Sequence, residues 1–159
     1  MTGGWWFEDA RPGLRLRHPL ARTIGPAEHV WLAWISNNQS DIHGNAHRAA
    51  MTDWAQPLVL GALTAAVVIG LAQPAEPASE ETPLALANWH SITLGRAVVA
   101  GDTLRAFSDI RTCQPVPAGG GYVERTIMGL SQRGEVVVTI DETCFAPARR
   151  ARAFQTKDC

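Results

Sequence analysis

Residues 58–72, LVLGALTAAVVIGLA, constrain this chain more than any other stretch: they carry no charge, and only Thr64 has a side-chain hydrogen-bonding group. A helix that is apolar on every side has to be buried. A membrane span needs roughly 20 apolar residues, and this run is clearly shorter, so it reads as the central helix of a soluble core, wrapped on nearly all sides. Gly61 falls in its first turn, where backbone N–H groups have no intrahelical partner and the macrodipole is positive. That end suits a developing negative charge.

The wrapping has to come from the second half of the chain. Residues 84–94, 103–113, 122–132 and 135–145 read as strands; in the last, Val136, Val138 and Ile140 alternate with Val137, Thr139 and Asp141. Residues 115–121 are Gly-rich without the spacing of a phosphate loop and read as a hairpin connection, as does Arg133-Gly134. Ahead of the core helix, residues 14–24 alternate Leu14 and Leu16 with Arg15 and Arg17, as a half-buried strand does. Gly25-Pro26 then opens a short helix, with Glu28 in its first turn and Val30, Trp31, Trp34 and Ile35 forming its apolar face. A second short helix is predicted over 46–54, and residues 73–83 form a Pro/Ala/Glu linker. This order predicts an α+β chain, an antiparallel sheet curved around one long central α-helix, which is the hotdog architecture. A free sheet edge would remain, and pairing two subunits edge to edge covers it, so a homodimer is expected.

At 159 residues, 46% hydrophobic and 18% charged, the chain suits a single globular domain over 1–159. Lys+Arg 14 against Asp+Glu 15 leaves a formal charge of -1, which gives no electrostatic reason to expect nucleic acid or a membrane surface as a partner. The opening MTGGWWFEDARPG contains acids and no continuous apolar segment, so it does not read as a signal peptide. Cys113, Cys144 and Cys159 have no CxxC spacing, so neither zinc nor a disulfide framework is expected and the cytoplasm is the default location. Trp5, Trp6 and Phe7 read as a flap on the core or a subunit contact, with a ligand platform as the alternative. Arg149, Arg150 and Arg152 read as a solvated tail, with phosphate binding as the alternative.

Between the first two helices lies a loop of amides, hydroxyls, a carboxylate and an imidazole, residues 36–45, more polar than a turn requires. His43 and His47 stand four apart, which on an unbroken helix would make a metal pair. Gly44 interrupts that helix and no third ligand is near, so no metal is expected. His43 alone reads equally as a hydrogen-bonded structural imidazole or as an acid/base.

The chain resembles the MaoC-like hydratase/dehydratase family, and within it the branch of mesaconyl-CoA hydratase, also described as β-methylmalyl-CoA dehydratase. The likeness runs from FEDARPGLRLRH through GRAVVAGDTLRAFSDI to GLSQRGEVVVTIDETCF. It rests mainly on Asp41-Ile42-His43, on Gln56-Pro57-Leu58-Val59, and on Ala87-Asn88-Trp89 before Gly101-Asp102-Thr103-Leu104. The resemblance implies water addition to, or removal from, an α,β-unsaturated acyl thioester, on coenzyme A or an acyl carrier, without a cofactor. Family members pair an Asp and a His five residues apart. Carried over, His43 matches the His, Asn38 stands at the Asp position, and the Gly61 amide matches the oxyanion donor, with Leu60 and Trp89 beside the substrate. Asn38 departs from the general pattern and cannot take a proton at neutral pH, which shifts acid/base work to His43 and makes Asp41 a possible substitute or imidazole orienter. Two other readings stay open: a dehydratase or isomerase of secondary metabolism acting on a carrier-bound or free acid, and a non-catalytic hotdog that binds an acyl ligand.

Overall fold

The computed structural model describes residues 6–73 and 85–149. The apolar run becomes helix α4 (Gly61–Ala72), beginning at Gly61 rather than at Leu58. Leu58 and Val59 stay extended: Leu58 bridges Val99, and the Val59 N–H donates to the Val98 carbonyl at 2.8 Å. Around α4 stands one antiparallel sheet in the order β1-β3-β4-β5-β2, built from β1 (Arg15–Thr23), β2 (Ala85–Leu94), β3 (Thr103–Pro115), β4 (Gly121–Leu130) and β5 (Val136–Ala146). The expected sheet around one helix is therefore present, with strand bounds shifted by a residue or two.

Val67, Val68 and Leu71 of α4 pack with Leu104, Ala106, Ile127, Val138 and Ile140 of the sheet in the main core. Gly129 sets how closely the two approach: a Cβ there would lie 2.5 Å from Val68 Cγ2 and 2.9 Å from Val138 Cγ1. The helix is not wrapped on nearly all sides, however. Ala62, Ala66 and Gly70, one stripe at four-residue spacing, are exposed, which costs little because such small side chains present little apolar area.

A second apolar cluster, Ile110, Val123, Cys144 and Ala146, is covered by Phe7, Leu14 and Leu16. Phe7 begins a 3₁₀ turn (Phe7–Asp9) tied down by its N–H to the Pro147 carbonyl at 2.9 Å. The aromatic opening is thus a flap at Phe7; Trp5 lies outside the described residues. Arg149 is exposed, as expected, but also tethered, its Nη2 lying 2.9 Å from both carboxylate oxygens of Asp9. Arg150, Arg152, Cys159 and nearly all of the 73–83 linker also lie outside the described residues.

Between the two clusters a polar row crosses all five strands. His18 Nε2 meets Ser108 Oγ at 2.8 Å, Arg125 Nη2 meets Glu142 Oε1 at 2.7 Å, and Trp89 Nε1 donates to Glu142 Oε2 at 3.0 Å. Along β4 the row interrupts Val123 and Ile127, and along β5 it interrupts Cys144 and Ile140. Arg125 and Glu142 are both buried, so each depends on the other for its charge.

Among the described residues, three α-helices precede α4: α1 (Pro26–Ile35), α2 (Asp41–Gly44) and α3 (Ala46–Ala49). The helix predicted over 46–54 stops at Ala49, because Thr52 Oγ1 bonds the Ala49 carbonyl at 2.7 Å and receives the Trp54 N–H at 3.3 Å, competing with the helical ladder. The buried face of α1 is also not the predicted one. His29 and Ala33 point inward, whereas Trp31, Trp34 and Ile35 are 60%, 70% and 76% exposed.

Candidate active site

The candidate residues lie at the end of α1, in the polar loop and α2, and at the start of α4. α1 closes with paired backbone bonds, Asn37 N–H to Trp34 O at 3.1 Å and Asn38 N–H to Ala33 O at 2.9 Å, with Asn37 in the left-handed region at φ 52. This turn delivers Asn38, whose Oδ1 accepts the Ser40 N–H at 3.0 Å and so fixes the approach to α2. α2 then carries Asp41 and His43.

His43 is tied to the segment leading into α4. The Leu58 N–H donates to Ile42 O at 3.0 Å, and His43 Nδ1 lies 2.8 Å from Leu58 O. A carbonyl only accepts, so Nδ1 bears the proton and Nε2 keeps its lone pair. The backbone thereby selects the tautomer a general base needs. Asp41 does not orient the ring: its carboxylate lies 3.4 Å from Arg48 Nε and accepts from Asn45 Nδ2 at 3.4 Å.

Leu58 stands three residues before Gly61 in the chain, so the bond from His43 ties the imidazole to the segment that leads into α4. The first helical bond there runs from the Thr64 N–H to Leu60 O at 3.0 Å, which leaves the Gly61, Ala62 and Leu63 N–H groups outside the ladder. An added Cβ on Gly61 would run into the Leu94 side chain, so β2 abuts this helix end. Leu60 is buried in the core at 4% exposure, and Trp89 sits on the edge strand, held by Glu142. His47 falls on α3, separated from His43 by the break at Asn45 (φ -115, ψ 95). Among the described residues no three His, Cys, Asp or Glu side chains gather as a metal site.

The sequence reading missed two groups. The Leu58 carbonyl carries no side-chain signal. His29, buried on α1, has its pKa lowered by burial and, to a lesser degree, by the His43 charge. Its signal was helical spacing with Ala33, masked by the more conspicuous tryptophan face.

No family model and no curated protein sequence matches this chain. Solved structures do. The MaoC-like dehydratase from Rhodospirillum rubrum superposes with a TM-score of 0.77 at 18% identity, over 93% of this chain and 100% of that one. The fold is the hotdog fold of the MaoC-like dehydratases. A second hotdog, the (R)-hydratase from A. caviae involved in PHA biosynthesis, aligns at TM-score 0.67 and 21% identity, over 88% of this chain and 99% of that one. The (3R)-hydroxyacyl-ACP dehydratase complex HadBC from Mycobacterium tuberculosis aligns at 0.64 and 15%, over 85% and 96% of the two chains. At such identities the hotdog fold is what is shared, and no finer branch is distinguished.

Proposed function

We propose that this hotdog chain is a hydratase/dehydratase of α,β-unsaturated acyl thioesters, with His43 as its acid/base. The observation that carries the reading is the 2.8 Å contact from His43 Nδ1 to Leu58 O, which leaves Nε2 basic and ties the ring to the segment that leads into α4. The hotdog neighbours, dehydratases and hydratases by description, support it.

In the hydration direction, His43 Nε2 takes a proton from water as the water oxygen bonds to the β-carbon. The π electrons move toward the thioester carbonyl, giving an enolate whose oxygen is met by the Gly61 N–H. His43 then returns its proton to the α-carbon, so water has been added and the imidazole is neutral again. A preorganised donor at the oxyanion contributes roughly 3–4 kcal/mol to such a step. Asn38, with Oδ1 committed to Ser40, orients the water through its amide nitrogen and exchanges no proton. Asp41 is left as the outer carboxylate of the loop, and Leu60 and Trp89 as shaping positions. No step calls for a cofactor. The acyl group, branched and dicarboxylic chains of the mesaconyl type included, is carried by coenzyme A or an acyl carrier, in the cytoplasm.

The test is a panel of straight, branched and carboxyl-bearing 2-enoyl thioesters on coenzyme A and on an acyl carrier, followed by chromatography for the 3-hydroxyacyl product. Turnover of at least one member is expected; none from any member contradicts the proposal. Asn38 favours a second reading, a hotdog that binds acyl groups without turning them over, and tight binding with no product would select it.

A further inference from the structure

Asp102 takes no part in the steps above, yet it is buried, at 4% exposure, just ahead of β3. A buried carboxylate is costly unless its oxygens are met, and both are. Oδ1 accepts from Gln132 Nε2 at 2.6 Å and lies 3.6 Å from Arg133 Nη2, while Oδ2 accepts the Val99 N–H at 3.0 Å. The peptide unit that carries the Val99 N–H also carries the Val98 carbonyl, which accepts the Val59 N–H at 2.8 Å. The Val59 N–H in turn shares its peptide unit with the Leu58 carbonyl, the oxygen that accepts from His43 Nδ1 at 2.8 Å. The N–H and C=O of a trans peptide point opposite ways, so three bonds run head to tail from the imidazole to the carboxylate. Bonds in such a series polarise one another, and an ionised acceptor at the end makes the strongest link.

We propose that Asp102 is a positioning residue for His43, acting through the two intervening peptide units. It strengthens the Leu58 carbonyl as an acceptor, and so holds the His43 proton on Nδ1 and the lone pair on Nε2. Its effect on turnover rests on the hydratase reading; its link to the imidazole does not. The arrangement is a histidine oriented by a carboxylate, with two peptide groups standing between. Asp41, nearer in sequence, is turned to Arg48 instead.

The experiment compares the full chain with Asp102→Asn and Asp102→Ala by NMR, at a pH where the His43 ring is neutral. Asparagine keeps the shape and removes the charge, whereas alanine removes the acceptor as well. A proton moves upfield as its hydrogen bond weakens, so the Val99 and Val59 amide protons and the His43 Nδ1 proton should all shift upfield, by amounts that decline in that order and are larger for alanine. The share of His43 with its proton on Nδ1 should fall in Asp102→Ala. A shift confined to Val99, with Val59 and the His43 proton unmoved, overturns the proposal, because a carboxylate that only caps its own turn gives that result. If Asp102→Ala does not fold, the same shifts in Asp102→Asn decide. On a thioester that the wild type hydrates, Asp102→Ala should lower kcat about tenfold to a hundredfold with KM little changed, and Asp102→Asn should lose less. A wild type without turnover would remove the hydratase reading, while the proton shifts would still decide the link from Asp102 to His43.

Discussion

At His18, burial and, to a lesser degree, the Arg125 charge push the imidazole down from 6.5 to about 4. In the unfolded chain it returns to its ordinary value. Between those limits the unfolded chain binds a proton that the folded chain refuses, so this group's contribution is complete above about 6.5 and is lost as the pH falls toward 4. The thermal midpoint should therefore drop across that window, and His18→Gln, which keeps a partner for Ser108 and cannot titrate, should flatten the slope. An equally steep slope in the variant would assign the acid sensitivity to other groups. At this scale the sequence draws attention where polar residues cluster: His43, Asn38 and Asp41 stand in a loop more polar than a turn requires. It was unreadable where one polar residue hides in an apolar pattern. Arg125 and Glu142 look like outward positions in alternating strands, and only the register that brings them together reveals a buried pair.

Among the elements, α4 was legible as a helix because nothing else accommodates fifteen uncharged residues so well. Its start was not, since Leu58 and Val59 suit an extended segment as well as a helix, and their pairing with Val98 and Val99 settles the matter. That start can be tested as an oxyanion donor. Proline is tolerated at the first helical position, where no intrahelical bond is lost, and Leu60 at φ -58, ψ 136 already has the backbone that a residue before proline requires. Because Leu94 crowds Gly61, the comparison is Gly61→Pro with Leu94→Ala against Gly61→Ala with Leu94→Ala. The proline variant should keep its helical circular dichroism and lose about 10²–10³ in kcat. Equal rates in the two would mean that the Gly61 N–H meets no developing charge. Substituting Gly129→Ala, by contrast, forces Val68 and Val138 apart and should cost about 1–3 kcal/mol of stability in denaturant unfolding.

For the whole molecule, the polar row and the open edge matter most. Residues 88–96 are exposed throughout, and Trp89, Ile92 and Leu94 of β2 are 45%, 44% and 56% exposed. Such an apolar edge strand invites pairing, and a second copy along β2 would place its mass beside Leu94 and the start of α4. The outward Trp31, Trp34 and Ile35 add to the apolar surface awaiting cover. We propose that a second copy pairs along β2: the wild type should then sediment as a dimer and Ile92→Lys shift it toward monomer, because a buried interfacial charge lacks a partner, whereas a monomeric wild type, or a dimer unchanged by the substitution, would contradict pairing along β2. The hotdog architecture was legible from element order, because an all-apolar helix followed by alternating strands has few other ways to bury both. The outward turn of α1 was not, since an apolar face reads the same whether it meets its own core or another molecule.

The most direct measurement compares kcat/KM for hydration of a 2-enoyl thioester by the wild type and His43→Ala, with folding verified for both. The account predicts a loss of about 10²–10⁴ for the variant. Equal rates would contradict the assignment of the imidazole held by Leu58 as the group that moves the proton.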